Sequence, residues 1–427
     1  MKDDIRPPYD LQQTDDEVAK QEPIDVVDSP VEASEQADLD DKQGVSDGIF
    51  LNESGGVGDT DKVPKKPIKH RITEMGMKLW PESKKARVIG LCIIAVLIIG
   101  GGFLAHAIQK NLNKRDIQQP VVIAKKEPPP KTTEASKLTG LEVPIGTNNR
   151  VVYSIQIENS PDARPQSALN QAGIVFEGIA EGGITRFNAS FLDNQPDYIG
   201  PIRSVRPYYV DFVAPLDPVF VHAGGSGDGL AELRNVGLKD MDHGANGSTF
   251  WRVSERYAPH NLYSSTEKLN QASQSRGYNV SNSAGFSRKD KETPSPTITA
   301  RLIDFSLSGF LYNPHFDYDQ ASNSYLRSQA GKPHTDLKSG AQLSPKVVVG
   351  IITDYSQNGI YSVYRMTGSG KVVIFQDGIA TEGTWTKNSI KEQYKFTDPA
   401  GKEIKLNPGQ TWVTMLAGPD RISYKAQ

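Results

Sequence analysis

The 427-residue sequence predicts an α+β fold: a mixed sheet with hairpins and short helices, then a mainly antiparallel β module, behind one N-terminal transmembrane helix. Three observations carry that reading. Val88–Ile108 (VIGLCIIAVLIIGGGFLAHAI) has no formal charge over 21 residues, and a helix of that length spans about 30 Å, the thickness of a hydrocarbon core. From Leu138 to about residue 280, strand-like runs mix with short helical ones without a βαβ repeat. Beyond residue 297 the pattern is almost wholly strand-like, punctuated by Gly, Asn-Pro and Asp-Gly signals.

The near-neutral net charge of −3 hides a strong asymmetry. Residues 1–61 hold about 18 acidic and 4 basic side chains and lack apolar periodicity. Such a segment cannot bury enough surface to offset its chain entropy and reads as a disordered tail, either merely solvated or recruiting a cytoplasmic partner. Residues 62–87 reverse the sign, with about nine Lys/Arg against two Glu. Fewer basic residues follow the apolar run, so the positive-inside rule places the N-terminus in the cytoplasm and the rest outside. A cleaved signal peptide is excluded by a run that begins nearly ninety residues in. Cys92, the sole cysteine, excludes intramolecular disulfides and Cys-rich metal sites, and bulky Leu91 before it argues against lipid attachment. No folded part is basic enough for nucleic acid. Residues 109–137, with Pro128-Pro129-Pro130, read as an extended stalk or an unstructured linker.

The first folded module spans 138–280. Val151–Ile157 reads as a strand and Ser167–Gln171 as a short helix capped by Ser167. Pro207–Val213 is a helix with Pro in its first turn. Val219–His222 is a strand running into AGGSGDG, and Leu230–Asn235 and Ser264–Arg276 are helical. Polar 281–297 reads as a linker, and 298–427 as the β-rich second module, with strands at Val347–Thr353, Ile360–Met366, Val372–Gln376 and Thr411–Leu416.

The centre of the first module is a hairpin. Ile174–Ala180 and Thr185–Leu192 flank Gly182-Gly183, whose glycines supply the positive φ of a two-residue turn. With that turn, uninterrupted alternation pairs Ile179 with Arg186, Glu177 with Asn188 and Val175 with Ser190. Glu177, Arg186, Asn188 and Ser190 then share one face, with Glu177 diagonal to Arg186.

The strings IENSPDARPQSAL, FEGIAEGGITRF, IGPIRSVRPYYVDF, VHAGGS and APHNLYSST resemble the YerB-like family of bacterial envelope proteins. GKPHTD, QDGIATEGTW and LNPGQTWV are similar to its C-terminal module. The resemblance covers Leu138–Gln427 and implies an α+β fold and an envelope location. It brings no activity, because the family is described mainly as a domain of unknown function. Its members are often lipoproteins, from which this chain departs by its apolar segment and acidic tail.

Several residues have the chemistry for a site. Arg203 and Arg206 precede the Pro207 helix, where guanidinium forks suit phosphate or carboxylate, and Arg164 and Arg186 can converge with them. The competing reading is an ion-pair network with Glu158, Glu177 and Glu181. His222 and Ser226 flank a glycine turn that is neither a Walker motif nor a dinucleotide fingerprint. His260 and Asn261 sit in APHNLY, where a histidine serves as general base or holds the loop. Asp240, Asp242 and His243, and His315, Asp317 and Asp319, lack the spacing of a zinc or calcium site. No motif implies a cofactor. Tyr355, Tyr361, Tyr364, Trp385 and Trp412 suit either sugar stacking or a β core.

Two functions fit. One is a membrane-anchored binding protein holding an anionic envelope ligand through Arg164, Arg186, Asn188, Arg203, Arg206, Ser226 and Asn261. The other is an envelope hydrolase or transferase using Glu177 or Glu181 as acid with His260 or His222 as base. It requires that those side chains meet in one cleft.

Overall fold

The computed structural model describes residues 83–113 and 131–427. The acidic tail 1–61, most of the basic segment 62–87 and most of the 109–137 stalk lie outside the described residues. The chain divides into two compact units, the first ending at Val122 and the second running from Ile123 to Gln427. In the first, α1 (Lys84–Leu112) contains the apolar run and is long and apolar enough to cross a membrane.

In the second unit a small ladder of β1 (Thr133–Ala135) and β2 (Glu142–Pro144) precedes β3 (Tyr153–Glu158). The hairpin β4 (Ile174–Glu181) and β5 (Ile184–Phe191) comes next. Then come α2 (Pro207–Val213), β6 (Val219–His222), α3 (Gly227–Val236) and β7 (Lys239–Asp242). A short pair, β8 (Trp251–Arg252) and β9 (Leu262–Tyr263), leads to α4 (Thr266–Ser275). The remaining half is β10 (Leu302–Phe305), β11 (Pro314–Asp319), β12 (Ser324–Gln329), β13 (Lys332–Pro333) and β14 (Val347–Ile352). It continues through β15 (Tyr355–Asn358), β16 (Tyr361–Tyr364), β17 (Gly368–Gln376) and β18 (Ile379–Lys387). It ends with β19 (Lys395–Thr397), β20 (Thr411–Leu416) and β21 (Ile422–Lys425).

Local chemistry explains the helix ends. Pro207 occupies the first turn of α2, where its missing N–H costs nothing. Ser226 caps α3 by accepting from the Gly229 amide at 3.2 Å, and Gly237 ends it at φ 73°. Ser265 caps α4 through the Lys268 amide. The helix expected at Ser167–Gln171 is instead one 3-10 turn, Leu169–Gln171. Ser167 does not cap it, because its amide donates to the Gly200 carbonyl at 2.8 Å and its backbone is committed to that bridge.

A twelve-stranded mixed sheet forms the middle layer, in the order β19-β18-β17-β14-β20-β4-β5-β3-β6-β7, with β15 and β16 attached at β4. Both sequence modules contribute to it, since β20 lies parallel to β14 on one side and to β4 on the other. The 281–297 segment is tied down: Arg288 donates to the Leu138 and Asn407 carbonyls, and Lys289 pairs with Asp377 at 2.7 Å. One face of the sheet packs on α2 and α3 through Tyr208, Tyr209, Phe212 and Leu233. The other meets α4 and the five-stranded antiparallel sheet β13-β12-β11-β10-β21. Trp385 and Trp412 are buried in these layers, whereas Tyr361 is exposed.

The hairpin turn is where the glycines put it, with Gly182 at φ 55° and Gly183 at φ 79°, the two positive angles of a type I′ turn. The pairing beyond it differs from strict alternation. A register shift between Ile179 and Glu181 leaves Ala180 as an extra residue, the count of a β-bulge. Glu177 therefore pairs with Phe187, not Asn188, and Arg186 pairs with Gly178. That one-residue slip sends Glu177 to the α4 face of the sheet and Arg186, Asn188 and Ser190 to the α2 face. The expected Glu177–Arg186 constellation does not form.

Candidate functional site

The residues that gather lie at the turn end of the hairpin and the carboxyl ends of β3 and β6. Backbone places them. The 199–206 segment crosses this end, with the Arg203 amide donating to the Gln156 carbonyl at 2.9 Å and the Ala223 amide to the Arg203 carbonyl at 3.0 Å. Val205 bridges to Gly225 in parallel. The GPIRSVRP string is thus a strap pinned between two strand ends, which fixes where its arginines emerge.

Two carboxylates organise them. Glu181 binds Arg186 Nη2 at 2.6 Å and Arg206 Nη2 at 2.7 Å. Burial raises the Glu181 carboxyl, but the two guanidiniums outweigh it and hold the group below its ordinary value. Ser204 ties the pair together, its carbonyl accepting from Arg186 and its hydroxyl from both arginines. Arg206 also lies 4.9 Å from the Tyr361 ring centre. Glu158 stands across β3/β5 from Arg186. It lies 3.3 Å from Arg203 Nε, accepts from Ser160 Oγ at 2.9 Å and pairs with His260 Nδ1 at 3.0 Å.

Ser160 and Glu158 meet the same ring nitrogen of His260, with Ser160 Oγ 3.2 Å from Nδ1. A nucleophilic triad needs the carboxylate on one nitrogen and the hydroxyl on the other. Glu158 therefore orients His260 and leaves Nε2 outward, 4.0 Å from Asp162, but Ser160 is no nucleophile in this arrangement. Glu181, held ionised by two arginines, is poorly suited to donating a proton.

The remaining expected site residues lie elsewhere or serve the fold. Glu177 is fully buried on the opposite face, where Arg327 Nη2 reaches both its oxygens at 3.0 Å and Trp412 Nε1 donates at 2.9 Å. Its hydrogen-bond partners include neither histidine, so the expected Glu177–His pairing is not made. His222 is buried, with Nδ1 at 2.8 Å from the Gly224 carbonyl and Nε2 at 3.0 Å from Asp240. Asn188 donates to Gln156 inside the sheet. Asn261 accepts from Arg252 and donates to the Val253 and Arg256 carbonyls, which holds its loop. Ser226 is spent on its helix cap.

Sequence reasoning missed the partners from the far half. Arg327 also donates to Gln329 and to His334 Nδ1, and His334 Nε2 meets Gln166 Oε1 at 2.7 Å. Burial and the Arg327 charge push the His334 imidazole well below its ordinary value, so it stays neutral. The Arg327 guanidinium also lies 4.6 Å from the Trp412 ring centre. The Glu177–Arg327 contact has no local signature, because the two residues lie 150 positions apart.

Comparison with known proteins fits this architecture. Residues 138–279 match the model of the DUF3048 N-terminal domain, and residues 303–413 that of the DUF3048 C-terminal domain, each described as a protein of unknown function. The chain is 31% identical over 294 residues to "Putative lipoprotein YerB" of Bacillus subtilis (strain 168), covering 67% of this chain and 87% of that protein. The crystal structure of the YerB protein from Bacillus subtilis superposes with a TM-score of 0.62 at 27% identity, covering 68% of this chain and 99% of the other. The α+β fold, the two sequence modules and the length of these matches together place the chain in the DUF3048 family, the YerB-like proteins of unknown function.

Proposed function

We propose that the protein is a single-pass membrane protein, N-terminus inside, whose folded unit binds an anionic ligand of the bacterial cell envelope. The observation that carries this reading is a cluster of arginines at the hairpin end of the sheet, one of them open to solvent. Arg186, Arg203 and Arg206 gather there against Glu158 and Glu181, whereas Arg164, expected to converge with them, bonds to Asn159 and pairs with neither glutamate. Arg203 is the accessible member, with a side chain 29% exposed and a single carboxylate that it shares with His260. A phosphate or carboxylate arriving there gains charge-assisted hydrogen bonds without stripping a guanidinium of its only partner.

In titrations of the full-length protein with wall-polymer phosphate fragments, Arg203→Ala is expected to weaken binding about 10-fold, the loss of one charge-assisted hydrogen bond. Binding that is absent, or unaffected by this substitution, removes the proposal. The orientation follows from the Lys/Arg bias around α1 and has its own test. Protease added to intact protoplasts should degrade a C-terminal tag and spare an N-terminal one; the reverse pattern inverts the topology.

A further inference from the structure

One arginine of the expected site stands apart from the rest. Arg186, Arg203, Arg206 and Arg327 each face a glutamate. Arg164 makes no ion pair among the described residues. Its Nε donates to Asn159 Oδ1 at 3.0 Å and its Nη2 to the Asn159 carbonyl at 2.7 Å, both neutral acceptors. The ring of Tyr312 lies 5.3 Å away. A half-buried guanidinium with no carboxylate at ion-pair distance relies on neutral acceptors alone, which leaves its charge available to an incoming anion.

Arg164 borders a cavity of about 520 Å³ between the Pro161–Pro165 loop of the first half and the 310–311 and 329–335 segments of the second. That volume is in the range of small-molecule pockets, about 300–1,000 Å³. The lining contains two cations, Arg164 and Lys332, and no carboxylate. Its other walls are largely apolar: Pro161, Pro165, Pro333, Leu311 and Phe310. Phe310 is 71% exposed and Leu311 47%, adjacent large apolar side chains of the kind a folded chain ordinarily buries. The floor is anchored, because Gln329 and His334 are both held by buried Arg327. Since His334 is neutral, the positive charge of the pocket comes from Arg164 and Lys332 alone.

We propose that this pocket takes an amphipathic anion, its phosphate or carboxylate head on Arg164 and Lys332 and its apolar body against Phe310 and Leu311. The inference rests on the anion-binding reading above and adds to it both a place and an apolar requirement. A second cavity of about 560 Å³ shares Phe310, Gln329, Ala330, Lys332 and Pro333 with the first, so a longer body has room past Phe310.

The test uses the full-length protein with methyl phosphate and hexyl phosphate as probes, and melting curves to confirm that each variant is folded. Hexyl phosphate should bind about 10-fold or more tighter than methyl phosphate, from the added methylenes removed from water. Arg164→Ala should weaken both probes about equally, whereas Phe310→Ala should abolish the difference between them and leave methyl phosphate unchanged. Equal binding of the two probes that still depends on Arg164 overturns the apolar requirement and leaves the anion reading intact. Binding that responds to Arg203→Ala but not to Arg164→Ala moves the site out of this pocket and overturns the inference. Absence of binding by either probe overturns it outright, and the wall-polymer titration then decides the broader reading separately.

Discussion

Arg327→Ala is expected to destabilise the folded unit by about 3–5 kcal/mol, the cost of stranding one member of a buried ion pair. Both side chains of the Arg327–Glu177 pair are fully buried, and Arg327 reaches both carboxylate oxygens at 3.0 Å. Trp412 still donates one hydrogen bond to Glu177 after the substitution, which is not enough to solvate an ionised carboxylate. His334 and Gln329 also lose their donor. The double variant Glu177→Leu/Arg327→Met removes both charges and keeps the volume, so it should recover most of the loss. Urea unfolding of the two single variants and the double variant measures the coupling. A double variant as unstable as Arg327→Ala would show that the pair matters for shape and not for charge. Because β20 lies between β14 and β4, both halves should be lost in one transition.

The sequence makes some of this legible and hides the rest for physical reasons. Local chemistry reaches the elements that carry it: Pro207 opens α2 at the expected residue, and Gly182-Gly183 turn the hairpin. The boundaries of β6 and of β20 also fall as read. The bulge at Ala180 does not announce itself, because β4 is buried on both faces and its apolar run does not distinguish one register from the next. The slip moves Glu177 from the expected cluster to a partner on β12. Glu181 with Arg186 was within reach of sequence reasoning, since both flank the Gly182-Gly183 turn, and Arg206 joins them from the segment before α2. Glu158 figured there only as a counter-ion, and it proves to be the residue that joins Arg203 to His260. The Arg164 pocket was out of reach, because its second wall comes from residues 310–335 and nothing local marks Phe310 as exposed.

The contribution of Lys387 and Asp211 beneath α2 to stability should pass through a minimum near neutral pH, while neutral His334 adds a rising slope on the acid side. Lys387 is buried, and its Nζ donates to the Asp211 carbonyl oxygen at 2.6 Å. Burial pushes the Lys387 ammonium down to about 7, against the pull of Asp211 and Glu392. Burial and the neighbouring Glu232 push the Asp211 carboxyl up to about 7, against the pull of Lys387. The two groups give opposite slopes. Between the ordinary carboxyl value of 3.8 and about 7, the folded state holds a proton on Asp211 that the unfolded chain has released, so stability falls as pH rises. Between about 7 and the ordinary lysine value of 10.5, the unfolded chain holds a proton that folded Lys387 lacks, so stability climbs again. Each limb is worth ~2–4 kcal/mol, at roughly 1.4 kcal/mol for every tenfold change in proton affinity and discounted for the mutual attraction of the pair. Urea midpoints at about pH 5, 7 and 9.5 trace the profile, and Lys387→Met should flatten the alkaline limb while raising stability at neutral pH. A wild-type profile that peaks at neutrality, or an alkaline limb that survives in Lys387→Met, would show that the buried amine carries its charge at no cost.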